Sequence, residues 1–132
     1  MNRKFFITLF CAVFSLFGLA ACQSVPATPD DSAETATFNG GMLTVWQEGS
    51  FRSLANATRE TLEAFQNVTI TREEVSTVDG LFIARGPNNE RITVHLRKIN
   101  PHKTQLKIRY GWRGSLEDSQ IIFAEIDQRA AR

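Results

Sequence analysis

The sequence predicts an α+β domain in which an antiparallel sheet of four to five strands carries two helices on one face. Two segments repeat apolar residues at helical spacing, and four others alternate apolar with polar residues. Turn-forming residues separate these segments and give the order β-α-β-β-β-β-α. One apolar face per strand is typical of an antiparallel sheet that is covered on one side.

The first strand and the first helix follow each other closely. Met42–Trp46 is apolar and β-prone and comes directly after Gly40-Gly41, which predicts a short strand after a turn. Ser50 can cap a helix that runs to about Gln66. The apolar positions of this helix share one face, which we expect to dock on the sheet: Phe51, Leu54, Thr58, Leu62 and Phe65.

Period-two alternation then predicts a hairpin between Val68–Val78 and Leu81–Arg85. These segments flank Asp79-Gly80, which is a strong signal for a two-residue hairpin turn. Such a turn would pair Val78 with Leu81, Ser76 with Ile83, and Glu74 with Arg85.

Two more strands and a second helix complete the predicted domain. The strands are Arg91–Ile99 and Thr104–Trp112, with a turn at Asn100–Lys103 between them. Ser115 and Asp118 then have the spacing of a capping box. The helix that follows is expected to bury Leu116, Ile122, Phe123 and Ile126.

The first 21 residues have the pattern of an export signal. Arg3 and Lys4 precede an apolar stretch, Phe5–Leu19, whose length suits a signal peptide and is marginal for a membrane-spanning helix. The tetrad Leu19-Ala20-Ala21-Cys22 resembles a bacterial lipobox. That resemblance implies cleavage between Ala21 and Cys22 and attachment of lipid to the Cys22 thiol. The alternatives are an ordinary signal peptide and an uncleaved signal anchor.

Residues 22–37 are interpreted as the lipidated cysteine and a disordered tether, because Pro, Ser, Thr, Ala and acidic residues dominate them. The single α+β domain then spans residues 38–132. Resemblance to bacterial lipoproteins implies up to three acyl chains on Cys22, enough for a stable anchor. Gln23 stands where an aspartate would retain an enterobacterial lipoprotein in the inner membrane. The resemblance therefore implies the periplasmic leaflet of the outer membrane.

Several motifs in order resemble a family of small bacterial lipoproteins that is catalogued as a domain of unknown function. Besides the lipobox they are a glycine-led first strand, a helix rich in Ala and Leu, a late strand, and a Gly-Ser start to the last helix. The three short segments are Gly41-Met42-Leu43, Thr104–Gly111 and Gly114–Ser119. The resemblance covers about residues 40–126 and implies a fold type and a location without an active site.

The candidate binding surface is a set of basic residues on two neighbouring strands, Arg91, His95, Arg97, Lys107 and Arg109. In a meander they would form a positive patch on the side not covered by helices. Such a patch suits phospholipid head groups, lipopolysaccharide phosphates or an acidic protein. The alternative is a solvated face that Glu73, Glu90 or nearby acids partly neutralise.

Two tryptophans are expected to contribute to the core. Trp112, beside Tyr110 and Arg113, has an alternative role as an interface anchor, because these residue types dominate binding hot spots. Trp46 is expected to be buried at the end of the first strand.

The residue inventory argues against catalysis, metals and nucleic acids. The chain has 15 basic and 14 acidic residues, and loss of Arg3 and Lys4 with the signal would leave 13 basic ones. This near-neutral net charge gives no support for nucleic-acid binding. His95 and His102 are the only histidines, too few for a zinc site. The acidic neighbours Glu73-Glu74 and Glu117-Asp118 form no convincing acid–base couple. We therefore expect no cofactor, no metal and no enzymatic activity.

Three functional hypotheses remain. The first is a lipid-anchored envelope module that binds a protein partner through the open sheet face or through an exposed sheet edge. The second is a protein that binds a small ligand or a lipid head group in a concavity between sheet and helices, lined by Phe65, Phe82 and Phe123. The third is a structural role in the envelope. The oligomeric state stays open.

Overall fold

A six-stranded antiparallel sheet is the centre of the computed structural model, which describes residues 36–132. Along the chain, the strands are β1 (Thr37–Asn39), β2 (Met42–Glu48), β3 (Thr69–Val75), β4 (Asp79–Arg85), β5 (Arg91–Asn100) and β6 (Lys103–Tyr110). Their order across the sheet is β1-β2-β6-β5-β4-β3. The helices are α1 (Phe51–Ala64) and α2 (Leu116–Ala130). The predicted α+β class is confirmed, whereas the predicted four to five strands were too few.

The additional strand is β1, which pairs with β2 through a tight hairpin. Its three residues are too few to show an alternating pattern. Gly40 and Gly41 connect the two strands with φ angles of 57° and 77°. Two consecutive residues with positive φ are what a type I′ turn requires, and this turn matches the twist of paired strands. The Gly-Gly pair was therefore a hairpin signal that the sequence analysis took only as a turn before the first strand.

Both helices pack on the same face of the sheet. The inward residues of β2, β4, β5 and β6 alternate with outward ones and are almost completely buried: Leu43, Val45, Phe82, Ala84, Ile92, Val94, Leu96, Leu106 and Ile108. Helix α1 contacts β3 to β6, α2 contacts β2 and β6, and the helices contact each other. The opposite side of the sheet, here called the open face, carries no helix. Within residues 36–132, neither helix is long and apolar enough to cross a membrane.

The helix starts are those that the sequence predicts. The Ser50 hydroxyl accepts a hydrogen bond of 3.2 Å from the Ser53 N–H, and the Ser115 hydroxyl accepts one of 3.3 Å from the Asp118 N–H. Each bond satisfies one of the free N–H groups of a first helical turn. Ile122 and Ile126 are buried as predicted and Phe123 is partly buried, but Leu116 is 38% exposed. Ser119, one turn later, is buried instead.

The predicted register of the β3–β4 hairpin is wrong. Leu81 pairs with Glu74 rather than with Val78, and Arg85 pairs with Thr69 rather than with Glu74. The Ser76 hydroxyl accepts hydrogen bonds from the N–H groups of Val78 (3.3 Å) and Asp79 (3.0 Å), so the turn lies before Asp79.

Gly80 is a strand residue at an inward position of β4, not part of the turn. It is buried, and a Cβ atom at this position would lie 3.5 Å from Cζ of Phe51, at the start of α1. This is an ordinary contact distance, so α1 packs closely on β4 at this position. The glycine that suggests a turn in sequence therefore lies in β4, under the first turn of α1.

A second pair of glycines joins two distant loops. Gly41, in the β1–β2 turn, lies against Gly114, just before α2, and a Cβ atom on Gly114 would be only 2.0 Å from the Gly41 carbonyl oxygen. In the other direction, a Cβ atom on Gly41 would be 2.2 Å from the Arg113 carbonyl oxygen. The glycines of two motifs, Gly41-Met42-Leu43 and Gly114–Ser119, are therefore in backbone contact.

Candidate functional site on the open face

The five basic candidates lie on the open face of β5 and β6. His95 is directly opposite Lys107, Arg109 is opposite Thr93, and Arg97 is opposite Gln105. Arg91 precedes them on β5, opposite Arg85 of β4. Their placement on one face follows from strand alternation. The structure nevertheless divides them into two groups with different electrostatic surroundings.

The central group is partly neutralised by one carboxylate. Asp79 Oδ1 lies 3.2 Å from Nε of Arg97, with which it forms a hydrogen-bonded ion pair, and 3.8 Å from Nε2 of His95. Asp79, rather than the predicted Glu73 or Glu90, is the acid that contacts this group. Lys107, beside His95, forms no ion pair within residues 36–132.

The other group forms the wall of a depression at one end of the open face. We call this the basic depression. It has a volume of about 720 Å³ and lies where the β1–β2 turn, the β4–β5 turn and the end of β6 meet. Its cationic residues are Arg85, Arg91 and Arg109, and its apolar ones include Met42 and Trp112. Among the described residues, none of these three arginines forms an ion pair.

Like charges face each other across the strands of the basic depression. Arg85 and Arg91 are directly opposed on β4 and β5, an arrangement that is unfavourable without an intervening anion. The β4–β5 turn, with its 3-10 segment Pro87–Asn89, holds Arg85 in place, because Nη1 of Arg85 donates a 3.1 Å hydrogen bond to the Asn89 carbonyl oxygen. The depression therefore presents positioned guanidinium groups whose charge the domain itself does not balance.

Arg109 has a structural contact as well as a place in the basic depression. Its guanidinium donates a hydrogen bond to the Gly40 carbonyl oxygen and thereby ties β6 to the β1–β2 turn. Its Nε is buried and has no hydrogen-bond partner among the described residues.

One acid, Glu90, also lines the basic depression. A Cβ atom on Gly111 would lie 3.8 Å from Oε1 of Glu90, which places this carboxylate at the start of the loop after β6. Burial, followed by the negative charges of Glu90 and Asp118, raises the pKa of Tyr110 above its ordinary value. Three guanidinium groups against one carboxylate leave the depression cationic.

Neither tryptophan belongs to the core, contrary to the sequence-based expectation. Trp112 is 86% exposed at the rim of the basic depression, because it follows Gly111, whose φ of 76° turns the chain away from the sheet. The guanidinium carbon of Arg113 lies 5.7 Å from its ring centroid, within cation–π range. Trp46 is half-buried and lies opposite Gln105, on the open face, because Leu43 and Val45 take the inward positions of β2.

Arg85 lines the basic depression but is absent from the residues that the sequence predicts for this surface. The predicted hairpin register placed it opposite Glu74, whereas Glu74 is bound to Arg72 at 2.7 Å in the structure. The signal that could have identified it is the short Gly86–Glu90 turn, which brings Arg85 and Arg91 opposite each other. The exposed Trp112 had no such signal, because its position depends on how the chain leaves β6.

Around Phe65, the predicted concavity between sheet and helices is a small cavity of about 170 Å³ at one end of the helical layer. Phe65 lines it as predicted, together with Val68, Ile122 and Tyr110. Phe82 has no exposed surface and Phe123 packs against the core, so neither lines this cavity.

The geometry adds nothing in favour of catalysis. Glu73 is bound to Arg59 of α1, while Glu74 is bound to Arg72 on the open face, so the neighbouring acids belong to separate ion pairs. No group of three or more His, Cys, Asp or Glu side chains in residues 36–132 is placed to hold a metal ion.

Ala21 and Cys22, the predicted cleavage and lipid sites, lie outside the residues that the structure describes.

Comparison with known proteins identifies a family. No curated protein matches this chain. The family model for a protein of unknown function, DUF3568, matches residues 4–129, nearly the full length. The chain therefore belongs to the DUF3568 family.

Proposed function

We propose that this protein is a lipid-anchored lipoprotein of the bacterial cell envelope whose folded domain is a non-catalytic protein-interaction module. The proposal combines the N-terminal sequence with the basic depression. The anchor would be the lipidated Cys22, in the periplasmic leaflet of the outer membrane. The domain would bind an envelope protein that presents an acidic segment.

The lipid anchor makes a prediction about two cysteines. In cells given an alkyne-tagged fatty acid, the wild-type chain should incorporate the label and begin at residue 22, because Cys22 is the acylated thiol. Cys22→Ser should lose the label, measured by in-gel fluorescence and by the mass of the N-terminal peptide. Cys11→Ser is the matched control and should retain it, because Cys11 leaves with the signal peptide. A wild-type chain without label, or a labelled Cys22→Ser variant, would contradict the anchor.

The observation that supports a protein partner is the combination of unbalanced arginines and an exposed tryptophan in one depression. Trp and Arg are the residues most often responsible for interface affinity. Guanidinium groups bind carboxylates through paired, charge-assisted hydrogen bonds. A partner with two or more carboxylates next to an apolar side chain would match both features, with its apolar group on Trp112 and Met42.

The decisive experiment is crosslinking in intact cells that express the full-length chain, followed by capture and identification of bound proteins. One protein should be enriched near stoichiometry with the wild type. Arg85→Glu/Arg91→Glu should reduce its capture at least about tenfold, since both reversed charges would repel an acidic segment. Arg109 is left intact because it also holds the β1–β2 turn.

A matched control separates the site from net charge. Arg72→Glu/Arg132→Glu makes the same charge change at two exposed positions outside the basic depression, and it should leave capture unchanged. Trp112→Ala should weaken capture without any change in charge. An equal loss of capture in the control variant would mean that capture depends on net charge and not on the basic depression. Enrichment of lipid without any protein would instead favour the head-group binder, the second hypothesis from the sequence.

A further inference from the structure

A second groove lies on the helical side of the sheet, at the end opposite the basic depression. Its volume is about 570 Å³, within the range of small-molecule sites. One wall is the first half of α1, and the other consists of the β3–β4 turn and the end of β5. We call it the α1 groove. It is independent of the basic depression.

The apolar surface of the α1 groove is continuous with the core. Phe51 and Ala55 of α1 lie in its floor, while Val75, 43% exposed, and Pro101 form its sides. Phe51 is packed against Gly80, and Ser76 holds the turn through the hydrogen bonds to Val78 and Asp79. Both walls are therefore anchored, and the groove needs no rearrangement to exist.

The charge of the α1 groove is entirely positive. Its charged lining residues are Arg52, Arg59 and Lys98, and none of its lining residues is acidic. Arg59 is neutralised by its ion pair with Glu73. Arg52 and Lys98 form no ion pair within residues 36–132. The α1 groove is therefore lined by two cations without an acidic partner in this part of the chain, Arg52 and Lys98, and by the apolar side chains of Phe51 and Ala55.

The start of α1 increases this positive potential. A helix N-terminus carries partial positive charge and is stabilised by acidic residues in its first turn. The first turn of α1 has none, and Arg52 lies there instead. The helix therefore places an unfavourable charge at its own N-terminus, which a bound anion would offset.

We propose that the α1 groove binds an amphipathic anion, in which a single anionic head group is attached to a short unbranched apolar chain. The head group would lie between Arg52 and Lys98, with the apolar chain along Phe51, Ala55 and Val75. An uncharged molecule of the same shape would leave the two cations unpaired. A small anion without the chain would leave the apolar floor in water.

The test is photolabelling of the full-length lipoprotein in nanodiscs of zwitterionic lipid, with an eight-carbon carboxylate that carries a diazirine. Mass spectrometry should find the label in the peptides around residues 50–59, 75–77 and 98–101. Octanoate should compete at least about tenfold better than octan-1-ol or acetate, because only octanoate meets both halves of the site. Empty nanodiscs give the background.

A pair of variants completes the test. Arg52→Gln/Lys98→Gln should reduce labelling of the groove at least about tenfold, whereas Arg72→Gln/Arg132→Gln, with the same loss of charge elsewhere, should not. Unchanged labelling in the first pair, or equal competition by octan-1-ol, would overturn the proposal. So would label confined to other peptides. None of these outcomes depends on whether the basic depression captures a protein.

Discussion

Gly114→Ala is expected to lower the free energy of unfolding by about 3 kcal/mol, which is a large part of the stability of a domain of this size. Two costs add. Gly114 has a φ of 79°, which is unfavourable for alanine, and the new Cβ atom would lie 2.0 Å from the Gly41 carbonyl oxygen. The obstacle is backbone, so it cannot rotate away as a side chain would. Urea unfolding followed by circular dichroism measures the difference.

Gly40→Ala is the matched control for this prediction. Gly40 also has a positive φ, 57°, but a Cβ atom there would meet nothing within 4 Å. Its substitution should cost only the backbone term, about 1 kcal/mol. The difference between the two variants measures the contact between the β1–β2 turn and the loop before α2. Equal destabilisation of both would show that this contact contributes nothing beyond conformation.

Ile126→Ala is expected to destabilise the domain by about 2–5 kcal/mol, the usual cost of deleting a fully buried aliphatic side chain. Ile126 has no exposed surface and belongs to the core under α2. Its loss would leave a cavity that the surrounding strands can fill only by moving. The measurement is again the midpoint of urea unfolding.

Ile121→Ala, in the same helix, provides the comparison. Ile121 is 49% exposed, so its truncation removes little buried surface and should cost less than about 1 kcal/mol. Both variants make the same change in side chain and in helix propensity. Similar costs would mean that α2 is not held on the sheet by the face that the structure assigns to it.

Local patterns were sufficient to predict the helix starts and most inward-facing positions. Ser50 and Ser115 are caps because their hydroxyls lie three residues before the N–H groups they bind. Alternation along β5 and β6 placed Arg91 and Lys107 on one face because successive side chains of a strand point in opposite directions. Such features depend on neighbours within a few residues, which sequence records directly.

The membership of the candidate site could be predicted only in part. Arg91 and Arg109 were identified, but Arg85 and the exposed position of Trp112 were not. The predicted register placed Arg85 opposite Glu74, whereas the observed β3–β4 register pairs it with Thr69 and leaves it without that carboxylate. The Ser76 hydroxyl accepts hydrogen bonds from the N–H groups of Val78 and Asp79, so the turn ends before Asp79 and leaves Asp79-Gly80 in β4. The Asp79-Gly80 signal by itself does not reveal this alternative turn.

Packing between distant segments decided the rest. Strand β1, which the sequence did not predict, pairs with β2 because the positive φ angles of Gly40 and Gly41 permit a tight hairpin. Gly41 also lies against Gly114, far along the chain. Trp112 points into solvent because Gly111 ends β6 with a change of direction. The opposition of Arg85 and Arg91 depends on how two strands are paired. Sequence patterns specify which face of an element is apolar, whereas backbone contacts and strand register specify which charges meet.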